Sequence, residues 1–468
     1  MNIGLVQVSA QTADFPHNLR VLVQGYRGCL DRGAELVVAD AFSLCGPPPA
    51  DLALRSSFLR QEERALAALS HELAGVPLLL AAHAAVFPTD GGQEAADAPC
   101  GGGAEMLPVL VERDAVSVIE GEVAELEGGR RVYAACGEGW EAFGRGCDLI
   151  VCLSGEPWFA GCREKWPEAA AWEAAAEGLP LACLRPVGAA DGFIWGGGST
   201  LHAADGRLLT ALSPFDEDFC VASTAATGRR RTCPPPDPAE ELFRALQCGV
   251  RDHARRNGYL GACLALDERP ASLLLAWLAI KTFGAENTVI RAADSLPGER
   301  RNALCAMGAE LRRLPGGMPE YAAMACAALD GEREGWFPLS SLSRSEILGG
   351  CGLERVWGTL LLPFGDLYEG DLRLLADFCR EKAPELPALY GERSESPFDA
   401  AFQLLEDGNL SATELLARPD CPVDEQTLRK AQRLLIASAW KRKTLPPFLH
   451  VGEEKRRRRY PGMHRLND

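Results

Sequence analysis

Apolar residues near the start of the chain recur with two different periods. Residues 3–8, 35–39 and 76–82 are short, mostly apolar runs, which are typical of buried strands. Between them, residues 18–32 and 57–75 carry apolar side chains three or four positions apart, the spacing of one helix face. Strands that alternate with helices in this way predict a layered α/β domain.

A second pattern of strand, turn and helix lies at residues 263–280. A short apolar run is followed by the turn Asp267-Glu268-Arg269-Pro270 and then by a segment rich in leucine and alanine. This order predicts a strand, a loop and a helix N-terminus, which is where α/β domains bind phosphate groups. The turn offers two carboxylates and a proline without an N–H group, whereas phosphate-binding loops use glycines. The segment therefore predicts the frame of a nucleotide site without its usual binding groups.

Length and composition indicate the broad class of protein. A chain of 468 residues predicts two or three domains, and 47% hydrophobic with 24% charged residues is typical of a globular protein. The net charge of −17 argues against general nucleic-acid binding. No apolar run approaches the ~20 residues that cross a bilayer, and the first residues do not resemble a signal peptide. We therefore expect a cytoplasmic protein that binds neither nucleic acid nor membrane.

The 17 cysteines are scattered along the chain. Their number is odd, and they show neither paired C-x-x-C spacing nor a neighbouring histidine cluster. In a reducing compartment, most of them are expected to act as small buried hydrophobic residues. The sequence thus predicts no metal site.

Residues 36–52, LVVADAFSLCGPPPADL, carry a specific resemblance. They resemble the pattern VVFPELFLTGYPPEDL of the carbon–nitrogen hydrolase (nitrilase) superfamily, in particular of the amidase domain of glutamine-dependent NAD⁺ synthetases. Gly46, Pro48, Pro49 and Asp51 are in register. The resemblance implies a Glu-Lys-Cys triad in which the glutamate is the general base. The matching position is Ala41, which cannot accept a proton.

The other two members of this triad are a lysine and a cysteine. Residues 1–164 contain no lysine, and the first one is Lys165. Residues 135–140, ACGEGW, resemble the family pattern ICEDLW and keep the nucleophile as Cys136. A thiol with the ordinary pKa of about 8.5 needs a base or a nearby cation to react. We favour a vestigial or structural Cys136, and a working nucleophile stays open as the alternative.

The resemblance continues through the first half of the chain. Residues 148–161, DLIVCLSGEPWFAG, resemble the family segment DLILNLSASPFHLG. Residues 227–240, TGRRRTCPPPDPAE, combine an arginine cluster with three consecutive prolines, which is typical of an extended linker. We therefore predict a carbon–nitrogen hydrolase-like (glutaminase-like) domain at residues 1–226, a linker at 227–240, and an NAD synthetase-like domain with a basic tail at 241–468.

The second half resembles the NAD⁺ synthetase domain, beginning with residues 239–266. The next family motif is the ATP pyrophosphate loop SGGxDS of N-type ATP pyrophosphatases. Residues 267–272, DERPAS, match it only at Ser272, and its first position is Asp267. Losing a single positioned donor at a developing charge costs about 10²–10³ in rate. We therefore expect that the loop does not support ATP use by the family mechanism.

Two later motifs resemble the same domain. Residues 341–346, SLSRSE, lie where the family has TGNKSE, and they keep Ser345 and Glu346. The stretch GDLY farther on retains Asp366. The resemblance implies ATP and Mg²⁺ as cofactors of the family, and it assigns these three residues, with Asp267 and Ser272, to a vestigial nucleotide site.

The family resemblance also implies a fold and a reaction. The fold is an N-terminal nitrilase-like αββα sandwich followed by a Rossmann-like parallel-sheet domain of the adenine nucleotide α-hydrolase type. Family members release ammonia from glutamine and use ATP to amidate deamido-NAD⁺. Each acid–base partner contributes about 10²–10⁴ in rate, and the matching groups are absent here. We therefore expect a catalytically inactive family member that acts as a structural or regulatory subunit.

Two alternatives remain open. The first is a divergent active enzyme, either an NAD⁺ synthetase or an amidase that uses Cys136. The second is a sensor that binds NAD-related nucleotides without turnover. Because family members are homo-oligomers, the expected partners are further copies of the chain or an active NAD⁺ synthetase.

Overall fold

The computed structural model describes residues 1–87, 105–119, 123–137, 146–225, 237–292, 296–314, 322–350, 356–384, 386–387, 389–390, 397–408 and 410–452. The chain divides into two units, one of residues 1–190 and 195–235 and the other of residues 191–194 and 236–468. Most of the predicted linker and the basic tail lie outside the described residues. Among the helices described, none is both long and apolar enough to cross a membrane.

Residues 1–225 contain helices α1 (Phe15–Leu30), α2 (Ser56–Glu72) and α3 (Cys162–Glu177). The strands are β1 (Asn2–Gln7), β2 (Leu36–Ala39), β3 (Leu78–His83), β4 (Met106–Glu112), β5 (Ala115–Val118), β6 (Val123–Leu126), β7 (Arg130–Cys136), β8 (Leu149–Leu153), β9 (Leu181–Leu184), β10 (Val187–Ala190), β11 (Phe193–Gly196), β12 (Thr200–His202), β13 (Leu208–Ala211) and β14 (Asp218–Ser223). Within the described residues they form two six-stranded sheets, β14-β1-β2-β3-β4-β5 and β13-β12-β9-β8-β7-β6, and the pair β10-β11.

The two large sheets share one apolar core. Successive side chains of a strand point to opposite faces of the sheet, and β2 shows the result: Leu36 and Val38 belong to the cluster between the sheets. Val37 and Ala39 belong to the cluster that joins the first sheet to α1 and α2. A smaller cluster joins the second sheet to α3. The layers are therefore helix, sheet, sheet and helix, which confirms the predicted αββα sandwich.

The predicted elements of the first layer are present with small differences at their ends. Helix α1 begins three residues before the apolar periodicity does. The reason is an N-terminal cap, because the backbone N–H of His17 donates to the side chain of Asp14 at 3.1 Å and Pro16 lies in the first turn. Apolar periodicity indicates the buried face of a helix, but it gives no information about an N-terminal cap.

The second unit contains strands β15 (Gly261–Leu266), β16 (Thr288–Ala292), β17 (Glu310–Arg313) and β18 (Trp336–Leu339). Its helices are α4 (Pro238–Arg256), α5 (Pro270–Phe283), α6 (Gly298–Ala306), α7 (Ala323–Glu334), α8 (Arg344–Gly349), α9 (Glu369–Lys382), α10 (Pro397–Phe402), α11 (Ala412–Leu416) and α12 (Glu425–Arg442). The four strands are parallel, in the order β17-β16-β15-β18.

This strand order creates a crevice. From β15 the chain moves outward to β16 and β17, and it then returns to the other side of β15 as β18. The loops after β15 and β18 therefore leave the sheet in opposite directions, and ligands of open α/β sheets bind at such a switch point. These loops carry the two segments predicted to form a vestigial nucleotide site, residues 267–272 and 341–346. The predicted Rossmann-like sheet is confirmed.

Candidate functional site

The first candidate site lies between the two large sheets. Ala41 follows β2 and is buried in the cluster between the sheets. Cys136 is the last residue of β7, is partly exposed and packs against the same cluster. The positions that the resemblance assigns to the base and the nucleophile therefore border the same apolar cluster. A methyl group at position 41 offers the thiol no proton acceptor, and residues 138–140 of the motif lie outside the described residues.

Asp40, the carboxylate next to Ala41, is held by the backbone. It is fully buried and accepts hydrogen bonds from the N–H groups of Phe42, at 3.0 Å, and Val8, at 3.5 Å. Burial raises the pKa of Asp40 to about 7, although these hydrogen bonds act in the opposite direction. The carboxylate therefore organises the loop that follows β2.

Lys165 does not occupy the place of the missing lysine. It lies on α3, and its ammonium group is 5.7 Å from the ring centroid of Phe159. Helix α3 packs on the outer face of the second sheet, whereas Cys136 packs against the cluster on its inner face. The first lysine of the chain and the nucleophile position therefore belong to different layers.

Two further cysteines face each other on neighbouring strands. Cys152 on β8 and Cys183 on β9 are register partners, and both are buried. The hydrogen bond from Cys152 lowers the pKa of Cys183. Cys183 and Arg185 line a cavity of about 330 Å³, and the guanidinium of Arg185 lies 3.8 Å from the ring centroid of Trp166. Sequence reasoning missed this pair because no spacing pattern links the two positions.

The second candidate site is the loop between β15 and α5. The hydroxyl of Ser272 donates toward the carbonyl oxygens of Arg269, at 2.8 Å, and Asp267, at 3.1 Å. The same hydroxyl accepts from the N–H of Asp267 at 3.3 Å. The one residue that matches the ATP loop motif therefore closes the loop on itself.

The guanidinium of Arg269 lies in the crevice, between the loop after β15 and the start of α8. Its nitrogens contact Asp267 at 2.7–2.8 Å, Ser341 Oγ at 3.3 Å and the carboxylate of Glu346. Burial alone would lower the pKa of Arg269, but the charges of Glu346 and Asp267 outweigh it and raise that pKa. Arg300 on α6 donates to the carbonyl oxygen of Asp267 at 3.1 Å. The loop is thus held by ion pairs within the chain.

A second arginine of this unit, Arg344, is buried. Arg344 pairs with Asp366 at 3.1 Å and with Asp407 at 2.7 Å, and it donates to the hydroxyl of Tyr368 at 3.1 Å. Asp366 is fully buried and also accepts from the N–H groups of Val451 and Gly452. The charges of Tyr368, Asp366 and Asp407 raise the pKa of Arg344 against the effect of its burial.

The remaining predicted residues are engaged in the same way. The hydroxyl of Ser345 accepts from the N–H of Glu369 at 3.1 Å. Glu346 caps α8, because one of its oxygens accepts from the N–H and the hydroxyl of Ser343, each at 3.0 Å. The structure therefore brings the five predicted nucleotide-site residues to one edge of the sheet, where each bonds to other groups of the chain.

Comparison with known proteins identifies relatives of similar design. No protein-family model matches the chain. The glutamine-dependent NAD⁺ synthetase of Synechocystis sp. is 25% identical over 327 residues, which cover 61% of this chain and 58% of the relative. The synthetase of Thermotoga maritima is 25% identical over 355 residues (61% and 59%), and that of Xylella fastidiosa is 24% identical over 485 aligned positions (91% and 84%). The match spans less than two thirds of the first two relatives.

Comparison with two solved structures establishes the fold. A glutamine-dependent NAD⁺ synthetase from Cytophaga hutchinsonii has a TM-score of 0.78 and 12% identity, covering 99% of this chain and 98% of that one. The synthetase from Acinetobacter baumannii, solved in complex with ADP, has a TM-score of 0.72 and 17% identity, with 98% of both chains covered. The chain is similar in sequence and in fold to glutamine-dependent NAD⁺ synthetases. The resemblance found in its motifs is thereby confirmed, and the likeness at these identities establishes the fold.

The residues that sequence reasoning undervalued are the two arginines of the second unit. Arg269 stood out only as a departure from the ATP loop motif, and Arg344 only replaces the lysine of the family pattern TGNKSE. A local signal was present for Arg269, because its partner Asp267 lies two residues away, whereas Asp366 and Asp407 lie 22 and 63 residues from Arg344. The partner from the other loop could not be inferred without the strand order.

The substitution Asp40→Asn is expected to flatten the dependence of stability on pH. The unfolded carboxyl titrates near 3.8 and the folded one near 7, so between these values only the folded state keeps the proton. The contribution of Asp40 to stability is therefore full below pH 3.8, falls as the pH rises toward 7 and is constant above it. Thermal unfolding from about pH 5 to 8 measures this slope. Asp31→Asn, at an exposed position, is the control, and equal slopes for Asp40→Asn and the wild type would contradict the prediction.

The substitution Arg344→Met is expected to destabilise the second unit by about 3–5 kcal/mol, because it leaves buried carboxylates without their cation. The control is Arg429→Met, which breaks an exposed pair with Glu425 and should cost no more than about 0.5 kcal/mol. Urea unfolding followed by tryptophan fluorescence compares the two variants. Equal losses would show that the Arg344 network does not stabilise the fold.

Proposed function

We propose that this protein is a catalytically inactive relative of the glutamine-dependent NAD⁺ synthetases, which acts as a structural or regulatory subunit. The observation that carries the proposal is the position of Arg269. Its guanidinium lies at the switch point of the parallel sheet, paired with Asp267 and Glu346. At the crevice in which open α/β sheets bind ligands, this arginine is thus already paired with two carboxylates of the chain.

Binding of Mg²⁺-ATP in this crevice would be costly. The phosphates need N–H donors and cations, but α5 begins at Pro270, which has no N–H, and the loop contains no glycine. Entry of phosphate would break the pairs of Arg269, and hydrogen bonds to charged groups contribute about 1.5–3 kcal/mol each. The phosphates would then lie against the carboxylates of Asp267 and Glu346. These costs support the absence of adenylation.

The first unit supports the same conclusion for glutamine hydrolysis. Ala41 cannot act as a base, and residues 1–164 contain no lysine. Cys136 keeps the place of a nucleophile, but the neighbouring carboxylate of Asp40 is buried and accepts hydrogen bonds from the backbone. Removal of one member of a catalytic triad already accounts for most of the loss in rate. Two altered sites in one intact fold support a role that depends on shape.

The second unit carries a surface suited to a protein partner. Leu260, Leu329 and Trp357 are 81%, 52% and 62% exposed, and Leu360 is 40% exposed. The last three line a cavity of about 490 Å³. Exposed apolar side chains that cluster around a concave surface are typical of protein interfaces. The partner that we propose is a chain of the same fold, either a second copy or an active NAD⁺ synthetase.

The purified protein is expected to form no NAD⁺ from deamido-NAD⁺, ATP and Mg²⁺, with either glutamine or ammonium as nitrogen source. The reason is that the loop of residues 267–269 offers the phosphates no glycine and that Ala41 cannot act as a base. Product is measured by chromatography, with the Thermotoga maritima synthetase assayed in parallel as the active control. Glutamate release from glutamine is followed in the same samples, with Cys136→Ala as the matched variant.

Each positive result in that assay would overturn a specific part of the proposal. Product from ammonium would mean that Arg269 leaves its carboxylates and admits ATP. Glutamate release that Cys136→Ala abolishes would make the first unit an active amidase. Calorimetric binding of ATP or deamido-NAD⁺ without product would favour a nucleotide sensor.

The apolar surface of the second unit is expected to mediate assembly. Light scattering of the wild-type protein alone should give a mass above that of one chain, or its mixture with an active synthetase from the same genome should give a complex heavier than that synthetase measured by itself. The double variant Leu329→Glu, Trp357→Glu should lower that mass, because it buries charge in the interface. Trp172→Glu on α3 is the control, since Trp172 is 70% exposed and lies in the other unit. A wild-type protein that stays monomeric in both samples would rule out the assembly.

A further inference from the structure

Three polar side chains converge in the core of the first unit. Cys45 lies in the loop after β2, Glu62 lies on α2, and His83 ends β3. One ligand atom from each lies within 4.8 Å of the other two. All three residues are fully buried, in or beside the apolar cluster that joins the first sheet to α1 and α2.

One ring nitrogen of His83 takes no part in the hydrogen bonds of this cluster. The carboxylate oxygens of Glu62 lie 2.8 and 3.0 Å from Nδ1 of His83, and the backbone N–H of His83 donates to Glu62 at 3.3 Å. Among the described residues, Nε2 of His83 has no hydrogen-bond partner. The ring nitrogen that lies beside Glu62 is Nδ1, so an ion held by both residues would take the place of the proton between them, and Nε2 would carry the remaining ring proton.

Without a further group, this arrangement holds a buried carboxylate close to a buried thiol and a buried imidazole. Burial raises the pKa of the Cys45 thiol, and the charges of Glu62 and Asp40 raise it further, so the cluster as it stands favours a neutral thiol beside a carboxylate. A divalent cation would reverse this balance, because a thiolate, a carboxylate and a neutral imidazole together neutralise it.

We propose that Cys45, Glu62 and His83 form a buried structural site for a transition-metal ion of the Zn²⁺ type. Thiolate and imidazole ligands select borderline-soft ions such as Zn²⁺ over Mg²⁺ and Ca²⁺, which prefer oxygen ligands alone. The ion would tie the loop after β2 to α2 and β3, so that binding contributes to folding.

The spacing of the cysteines predicted no metal site, and the site that we propose differs from that prediction. Zinc sites are recognised in a sequence when ligands recur at short, regular intervals. Here each ligand comes from a different element, a loop, a helix and a strand. Only the packing of α2 across the first sheet places the three side chains together.

Metal content of the full-length protein, purified without a histidine tag, tests the site. The protein is unfolded with a chelator and refolded with Zn²⁺ or Co²⁺. We expect about one ion per chain, and an absorption band from cobalt–thiolate charge transfer. Cys45→Ser and His83→Gln should each lose the ion and the band. Cys29→Ser and His202→Gln, which remove a buried cysteine and a buried histidine elsewhere in the same unit, should keep both.

Two results would overturn the site: no uptake of either ion by the refolded wild-type protein, or uptake that Cys45→Ser and His83→Gln leave unchanged. If these variants do not fold, measurements on the wild-type protein alone test the site. Zn²⁺ should then raise its thermal midpoint by about 3 °C or more, and the thiolate band should appear with Co²⁺. The absence of either effect would count against the site.

Discussion

A carboxylate inside a protein needs a cation or hydrogen-bond donors, and at the crevice of the second unit the chain itself provides them. Arg269 pairs with Asp267 and Glu346, and Arg344 pairs with Asp366 and Asp407. The parallel strand order brings these groups to one edge of the sheet, where each carboxylate needs such a partner. The result is an edge with the architecture of a ligand site in which arginines and carboxylates of the chain pair with one another.

The first unit meets the same requirement in a different way. Asp40 is held by backbone N–H groups and Glu62 by a histidine, and both lie within apolar surroundings. In both units, groups that are costly to bury stabilise loops at the ends of strands, and these are the loops that carry the altered motifs.

The sequence predicts this fold well where the signal is local. Apolar spacing is a property of neighbouring residues, so it located β1 to β3, α1, α2 and the turn between β15 and α5. The loop composition at residues 267–272 also predicted that the phosphate-binding groups are missing. The ion pair between Arg269 and Glu346, the facing thiols of Cys152 and Cys183, and the cluster around His83 depend on sheet order and register. No spacing along the chain encodes those contacts, so they required the structure.

Glu346 illustrates how one side chain couples two loops. One of its oxygens caps α8 through Ser343, while the other pairs with Arg269. A glycine at position 269 would leave that second oxygen without the arginine, whereas loss of Glu346 would remove both the cap and a partner of Arg269. The effect of a substitution in either loop therefore depends on the residue present in the other, which makes the two segments epistatic.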